Sequence, residues 1–134
     1  MKVYRLEDSD RLGVYKSVES EVFQNLFAYG TFPSKLHPLP SQDNLLMEAF
    51  KSRNVEYVFH DEKYRHGFVS IEQFKRWFYN NEILRALHLE GIAMVVYEVP
   101  DESVFVGNTQ VIFDSNYHAD DYEVEKHSLL KYLD

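Results

Sequence analysis

The chain reads as α+β, a small curved mixed β-sheet with flanking helices in one domain over residues 1–134. Three observations predict this. Val3 to Glu7 alternates as a half-buried strand does, Gly67 to Phe78 passes from strand through a capping serine into a helix, and Ile92 to Val99 is nearly all apolar, as a central strand is. A length of 134 residues suits one domain that buries roughly two thirds of its unfolded surface.

Lys2 to Glu7 places Val3, Arg5 and Glu7 on one face and Tyr4 and Leu6 on the other. Asp8 to Asp10 with Gly13 forms a turn. Val22, Phe23, Leu26 and Phe27 recur at helical spacing, predicting a helix over about 18–29 with Ser17 or Ser20 as cap and Gly30 as its end. Pro33, Pro38 and Pro40 hold an extended loop, and a second helix follows over about 42–52 with Leu45, Leu46, Ala49 and Phe50 inward. Val55 to Phe59 is β-prone, and His60 to His66 is a polar connection. Ser70 and Gln73 make a capping box, with Val69 and Phe74 spaced as a hydrophobic staple. Phe74, Trp77 and Phe78 form an inward stripe, so core packing explains these rings better than base stacking. Ile83, Leu84, Leu87 and Leu89 give a short amphipathic helix capped by Gly91. Val104–Val106 and Gln110–Phe113 flank the turn signal Gly107-Asn108, and Asp120 with Glu123 opens a C-terminal helix over about 120–133.

Charge and composition narrow the function. A net charge of −8 disfavours direct binding to a nucleic-acid backbone and leaves open an acidic decoy that mimics DNA. Without cysteine there is no disulfide or thiol chemistry. No apolar run reaches the ~18 residues of a membrane span, and Met1 to Arg5 shows no signal-peptide pattern, so a cytoplasmic protein without membrane contact is expected. His60 and His66 flank Asp61 and Glu62, and His118 lies near Asp120 and Asp121, but neither group has a metal-ligand spacing and no metal is expected. Gly-rich phosphate loops, nucleophile elbows and His-Glu-x-x-His are absent.

The chain resembles a group of small bacteriophage proteins. The resemblance rests on Val3 to Glu7 with Gly13-Val14-Tyr15, on His37 to Pro40 with Asp43, on Gly67 to Phe78, and on Val96 to Val99 with Gly107 to Phe113. Residues 18 to 32 are longer than that pattern, and no activity comes with it. It implies an accessory protein in the host cytosol, of a kind that often antagonises a host defence or redirects a host enzyme.

A weaker resemblance is to ADP-ribosyltransferases of the Arg-Ser-Glu type. By position it places Arg5 on a nucleotide phosphate or ribose, Ser70 at the nicotinamide side, and Gln110 where the catalytic Glu stands. A carboxylate there stabilises positive charge developing on the sugar, whereas an amide holds the hydroxyl without supplying charge. The ligand-binding candidates are thus Arg5, Tyr15, His37, Ser70 and Gln110, with NAD or an ADP-ribose-like nucleotide as the implied ligand and no required cofactor. Four of these have a plainer alternative: an ion pair for Arg5, a helix cap for Ser70, a turn residue for His37, a surface amide for Gln110. The expected function is binding of a host protein or of an NAD-derived or cyclic nucleotide signal without turnover. Mono-ADP-ribosylation with Glu98 or Glu7 as the acid is the alternative, and exposed aromatics leave a homodimer open.

Overall fold

Strand β1 runs over Lys2–Glu7, the span its alternation marks, in a computed structural model that describes residues 1–17, 20–23 and 39–134. Most of the helix expected over 18–29 lies outside the described residues. Residues 21–23 are helical, and Ser20 Oγ accepts from the Phe23 amide at 3.1 Å. The loop holding His37 lies outside them as well.

The remaining elements are α1 (Asn44–Ser52), β2 (Tyr64–Gly67), α2 (Ile71–Trp77), α3 (Asn81–Leu89), β3 (Ala93–Glu98), β4 (Val104–Val106), β5 (Val111–Asp114) and β6 (Glu123–Ser128). They confirm the α+β class. The expected single mixed sheet is corrected: the described strands form two sheets, β1-β3-β6 and β2-β5-β4, and every pairing is antiparallel. Alternation marks a strand but not its partner or direction, which the chain's connections decide. The sheets meet where Tyr4 and Phe68 exchange backbone hydrogen bonds of 2.8 and 2.7 Å. Gly67 permits this approach, since a Cβ there would stand 2.7 Å from the Tyr4 carbonyl oxygen.

Three apolar clusters order the layers. Leu6, Met94 and Val96 of the first sheet pack against Phe74, Trp77, Leu84 and Leu87 of α2 and α3. Its other face, with Val3, Val95 and Tyr97, packs on Val111 and Phe113 of the second sheet. The far side of that second sheet carries α1, where Phe50 stacks on Phe105 with centroids 3.8 Å apart. β1 therefore lies between two layers and is covered on both faces, not one. That burial takes Arg5 and Glu7 out of water.

Other expectations change for equally local reasons. The C-terminal helix is replaced by a 3-10 turn (Ala119–Tyr122), strand β6 and a second 3-10 turn (Leu129–Tyr132). Glu123–Ser128 finds a backbone partner along the open side of β3, and tertiary pairing outweighs a weak capping pattern. Asp120 and Glu123, three residues apart, grip the Arg11 guanidinium at 2.5 and 2.8 Å. Val55 to Phe59 forms no strand, whereas the supposed polar connection contains β2, in which Tyr64, His66 and Gly67 are buried. Leu45 and Leu89 point outward, Leu89 being 85 % exposed. Ser70 does cap α2, accepting from the Gln73 amide at 3.1 Å, but Gln73 Oε1 reaches back to the Val69 amide at 2.9 Å.

Candidate functional site

A carboxylate builds the loop after β1. Asp8 Oδ1 accepts from the amides of Asp10 and Leu12, both at 2.9 Å, and its Oδ2 accepts from Ser17 Oγ at 2.6 Å. Ser17 and Lys16 donate backbone hydrogen bonds to the Gly13 carbonyl. Residues 10–16 so held, with Glu62 and Tyr64 to His66 opposite, line a pocket of about 250 Å³.

Four cations line it: Arg5, Arg11, Lys16 and Arg65. Arg5 comes from β1 and Arg65 from β2, because the two sheets face each other there. Arg5 Nε donates to Glu7 Oε2 at 2.8 Å, and its Nη1 donates to the His66 carbonyl at 2.8 Å. Arg65 Nη1 reaches the same Glu7 oxygen at 3.4 Å and the Arg11 carbonyl at 3.2 Å. The Tyr97 hydroxyl also donates to Glu7 Oε2. One buried carboxylate oxygen thus serves three donors.

The Lys16 amine makes no hydrogen bond or ion pair with the described residues. Burial, reinforced by Arg5 and Arg65, holds its amine below the ordinary lysine value. Asp10 and Glu62 stand exposed at the mouth. A pocket wall of cations is unexpected in a chain of net charge −8, and it suits an anion.

The polar wall continues into aromatic rings. Tyr15 meets His66 edge-on at 5.0 Å and Phe59 at 5.6 Å. His66 Nε2 lies 2.9 Å from the Tyr57 hydroxyl. Burial, then the charges of Arg5 and Lys16, push the His66 pKa down to about 3, so the ring is neutral at physiological pH. The Tyr15 hydroxyl donates to Gln110 Oε1 at 3.1 Å, and burial raises its pKa despite that amide.

The structure divides the residues expected from sequence. Arg5 and Tyr15 line the pocket. Gln110, 2 % exposed, supports Tyr15 from behind and is no surface amide. Ser70 is outside the lining, its hydroxyl capping α2, and α2 is tied to the β4–β5 turn through Gln73 Nε2 and the Asn108 carbonyl at 3.3 Å. Of Arg5, Ser70 and Gln110, Arg5 alone lines this pocket. Glu98 stands at the other end of the sheet, 3.4 Å from the amino terminus, and Glu7 is enclosed by its donors. Among the described residues no group of three or more His, Asp or Glu is placed to hold a metal.

Sequence reasoning overlooked Lys16, Arg65 and Arg11, and took His66 for a loop residue. A usable signal exists in Tyr64-Arg65-His66-Gly67-Phe68, which alternates ring and polar group much as Val3 to Glu7 does.

Comparison with known proteins places these residues in a wider group. Residues 1–128 match the family described as Bacteriophage T4 Y00F protein. The chain is 30 % identical over 104 residues to the "Uncharacterized 19.7 kDa protein in motB-dexA intergenic region" of Enterobacteria phage T4, covering 68 % of this chain and 62 % of the relative. The chain thus matches less than two thirds of that relative's length. No solved structure matches it.

Proposed function

The chain belongs to the bacteriophage T4 Y00F protein family, and on that premise we propose that it is an accessory protein that holds a small phosphate-bearing nucleotide derivative without turning it over. The observation that carries this reading is the convergence of Arg5, Lys16 and Arg65 on a pocket edged by Tyr15 and His66. Cations supply charge-assisted hydrogen bonds to phosphate, and neutral rings offer surface to a sugar or base. A volume of about 250 Å³ lies below the usual range for drug-sized ligands, so the pocket takes a ribose-phosphate portion while the rest of the ligand lies on the rim. Binding without chemistry is favoured because Glu7 is occupied by three donors and Gln110 is a neutral amide engaged with Tyr15. Sequestering such a signal in an infected cell would blunt a host defence that depends on it.

The test is a thermal-shift titration of the purified chain against NAD, ADP-ribose, cyclic ADP-ribose isomers and cyclic dinucleotides, and against AMP and NADP, which carry a phosphate monoester. A ligand at about a thousand times its Kd adds about 4 kcal/mol to folded-state stability. One of these nucleotides should raise Tm, Lys16→Glu should abolish the rise, and recovered ligand should be chemically unchanged. A flat response across the set overturns nucleotide binding, and release of nicotinamide from NAD overturns binding without turnover.

A further inference from the structure

The cations at the pocket do not act as equals, and their pairing indicates which phosphate the site accepts. Arg11 is committed to Asp120 and Glu123, so its charge is met before any ligand arrives. Arg5 and Arg65 share Glu7 Oε2, at 2.8 and 3.4 Å, and Glu7 is 2 % exposed. Lys16 has no carboxylate within ion-pair distance among the described residues. Three cations therefore face one buried carboxylate, an excess of two positive charges along a partly buried wall. His66, neutral and buried, adds none. Asp10 and Glu62 are exposed at the mouth, where water screens them.

Resting on the nucleotide-pocket reading above, we propose that the pocket selects a terminal phosphate monoester over a phosphodiester, with Lys16 as the residue that makes the distinction. A monoester carries about −1.5 to −2 charge near neutral pH and presents three acceptor oxygens, whereas a diester carries a single charge and two. Only the monoester matches both unmet charges. Arg65 extends one guanidinium nitrogen to Glu7 and to the Arg11 carbonyl, which holds its fork at the wall. Lys16, on a turn that Gly13 closes, supplies the mobile point charge beside it. The loop behind Lys16 is fixed by Asp8, so the amine is presented with little ordering of backbone on binding.

The experiment is calorimetric titration of the full chain, near neutral pH and at fixed salt, with ribose 5-phosphate and with its methyl phosphodiester. The monoester should bind about tenfold tighter or better. Lys16→Met should bring the two esters to within about threefold of each other, and Lys16→Arg should restore most of the preference. Lys16 is half-exposed and unpaired, and an unchanged melt will show that both variants fold. Equal affinity for the two esters, or a preference that persists in Lys16→Met, overturns the selectivity while leaving a phosphate pocket intact. Failure of both esters in a chain that does bind ADP-ribose or a cyclic nucleotide also overturns it alone. Failure of every phosphate compound removes the pocket reading itself.

Discussion

Glu7 is the residue on which most of this pocket depends. Its Oε2 accepts from Arg5, Arg65 and Tyr97 while lying between two sheets. Removing a buried partner costs more than the pair contributes, because the remaining charge stays desolvated. Glu7→Gln is therefore expected to destabilise the fold by about 3–5 kcal/mol, measured by urea unfolding. A loss below about 1 kcal/mol would show that water reaches Arg5 and that the pair is not sealed. Alternation at Val3 to Glu7 was enough to locate this strand and to put Arg5 and Glu7 on one face. It could not show that the face meets another sheet, because a polar face normally meets solvent.

At the scale of elements, Asp43 joins two parts of the molecule that are distant in sequence. It caps α1 through the Leu46 amide at 3.1 Å and accepts from the Asn108 amide, the Thr109 amide and the Thr109 hydroxyl at 3.0, 2.9 and 2.8 Å. Gly107 makes room, since a Cβ there would stand 2.5 Å from Asp43 Oδ2. Asp43→Ala removes a cap and leaves a turn unsatisfied, so a loss of about 2–4 kcal/mol is expected, with Asp43→Asn recovering part of it. Equal destabilisation by Ala and Asn would show that both carboxylate oxygens are needed as acceptors. Helix α3 offers a sharper comparison. Its leucines look equivalent in sequence, yet Leu87 is fully buried and Leu89 is 85 % exposed. Leu87→Ala should cost about 2–5 kcal/mol and Leu89→Ser less than about 0.5, both by chemical denaturation. Similar values would mean that Leu89 is covered in solution.

For the whole molecule, burial of neutral His66 couples folding to pH. Its folded pKa of about 3 lies below the ordinary 6.5, so between these values the unfolded chain binds a proton that the folded chain does not. Stability therefore falls as pH falls, by about 1.4 kcal/mol for each pH unit in that window from this group alone. Asp43 adds a loss at lower pH. Burial raises its carboxyl, but the amides of Thr109 and Asn108 outweigh this and hold it below the usual range, so its contribution disappears as pH falls through the folded value. Tm should decline from pH 6.5 downward, and His66→Gln should flatten the upper part of that decline. An unchanged slope in His66→Gln would locate the acid sensitivity elsewhere.

Sequence by itself determined the α+β class, the span of β1, the place of β3, the turn between β4 and β5, the Ser70 cap and the inward stripe of Phe74, Trp77 and Phe78. These rest on periods and turn chemistry within a few residues of each other, which local sterics and hydrogen bonding impose on any chain. It also singled out Arg5, Tyr15 and Gln110, though not how they are arranged. Tertiary structure decided that the strands form two sheets, that Glu123–Ser128 extends rather than coils, and that Arg5, Lys16 and Arg65 share a pocket while Ser70 does not. Those outcomes depend on partners distant in sequence, such as Tyr97 with Glu123 and Arg5 with His66, and no local pattern encodes which layer a strand will meet.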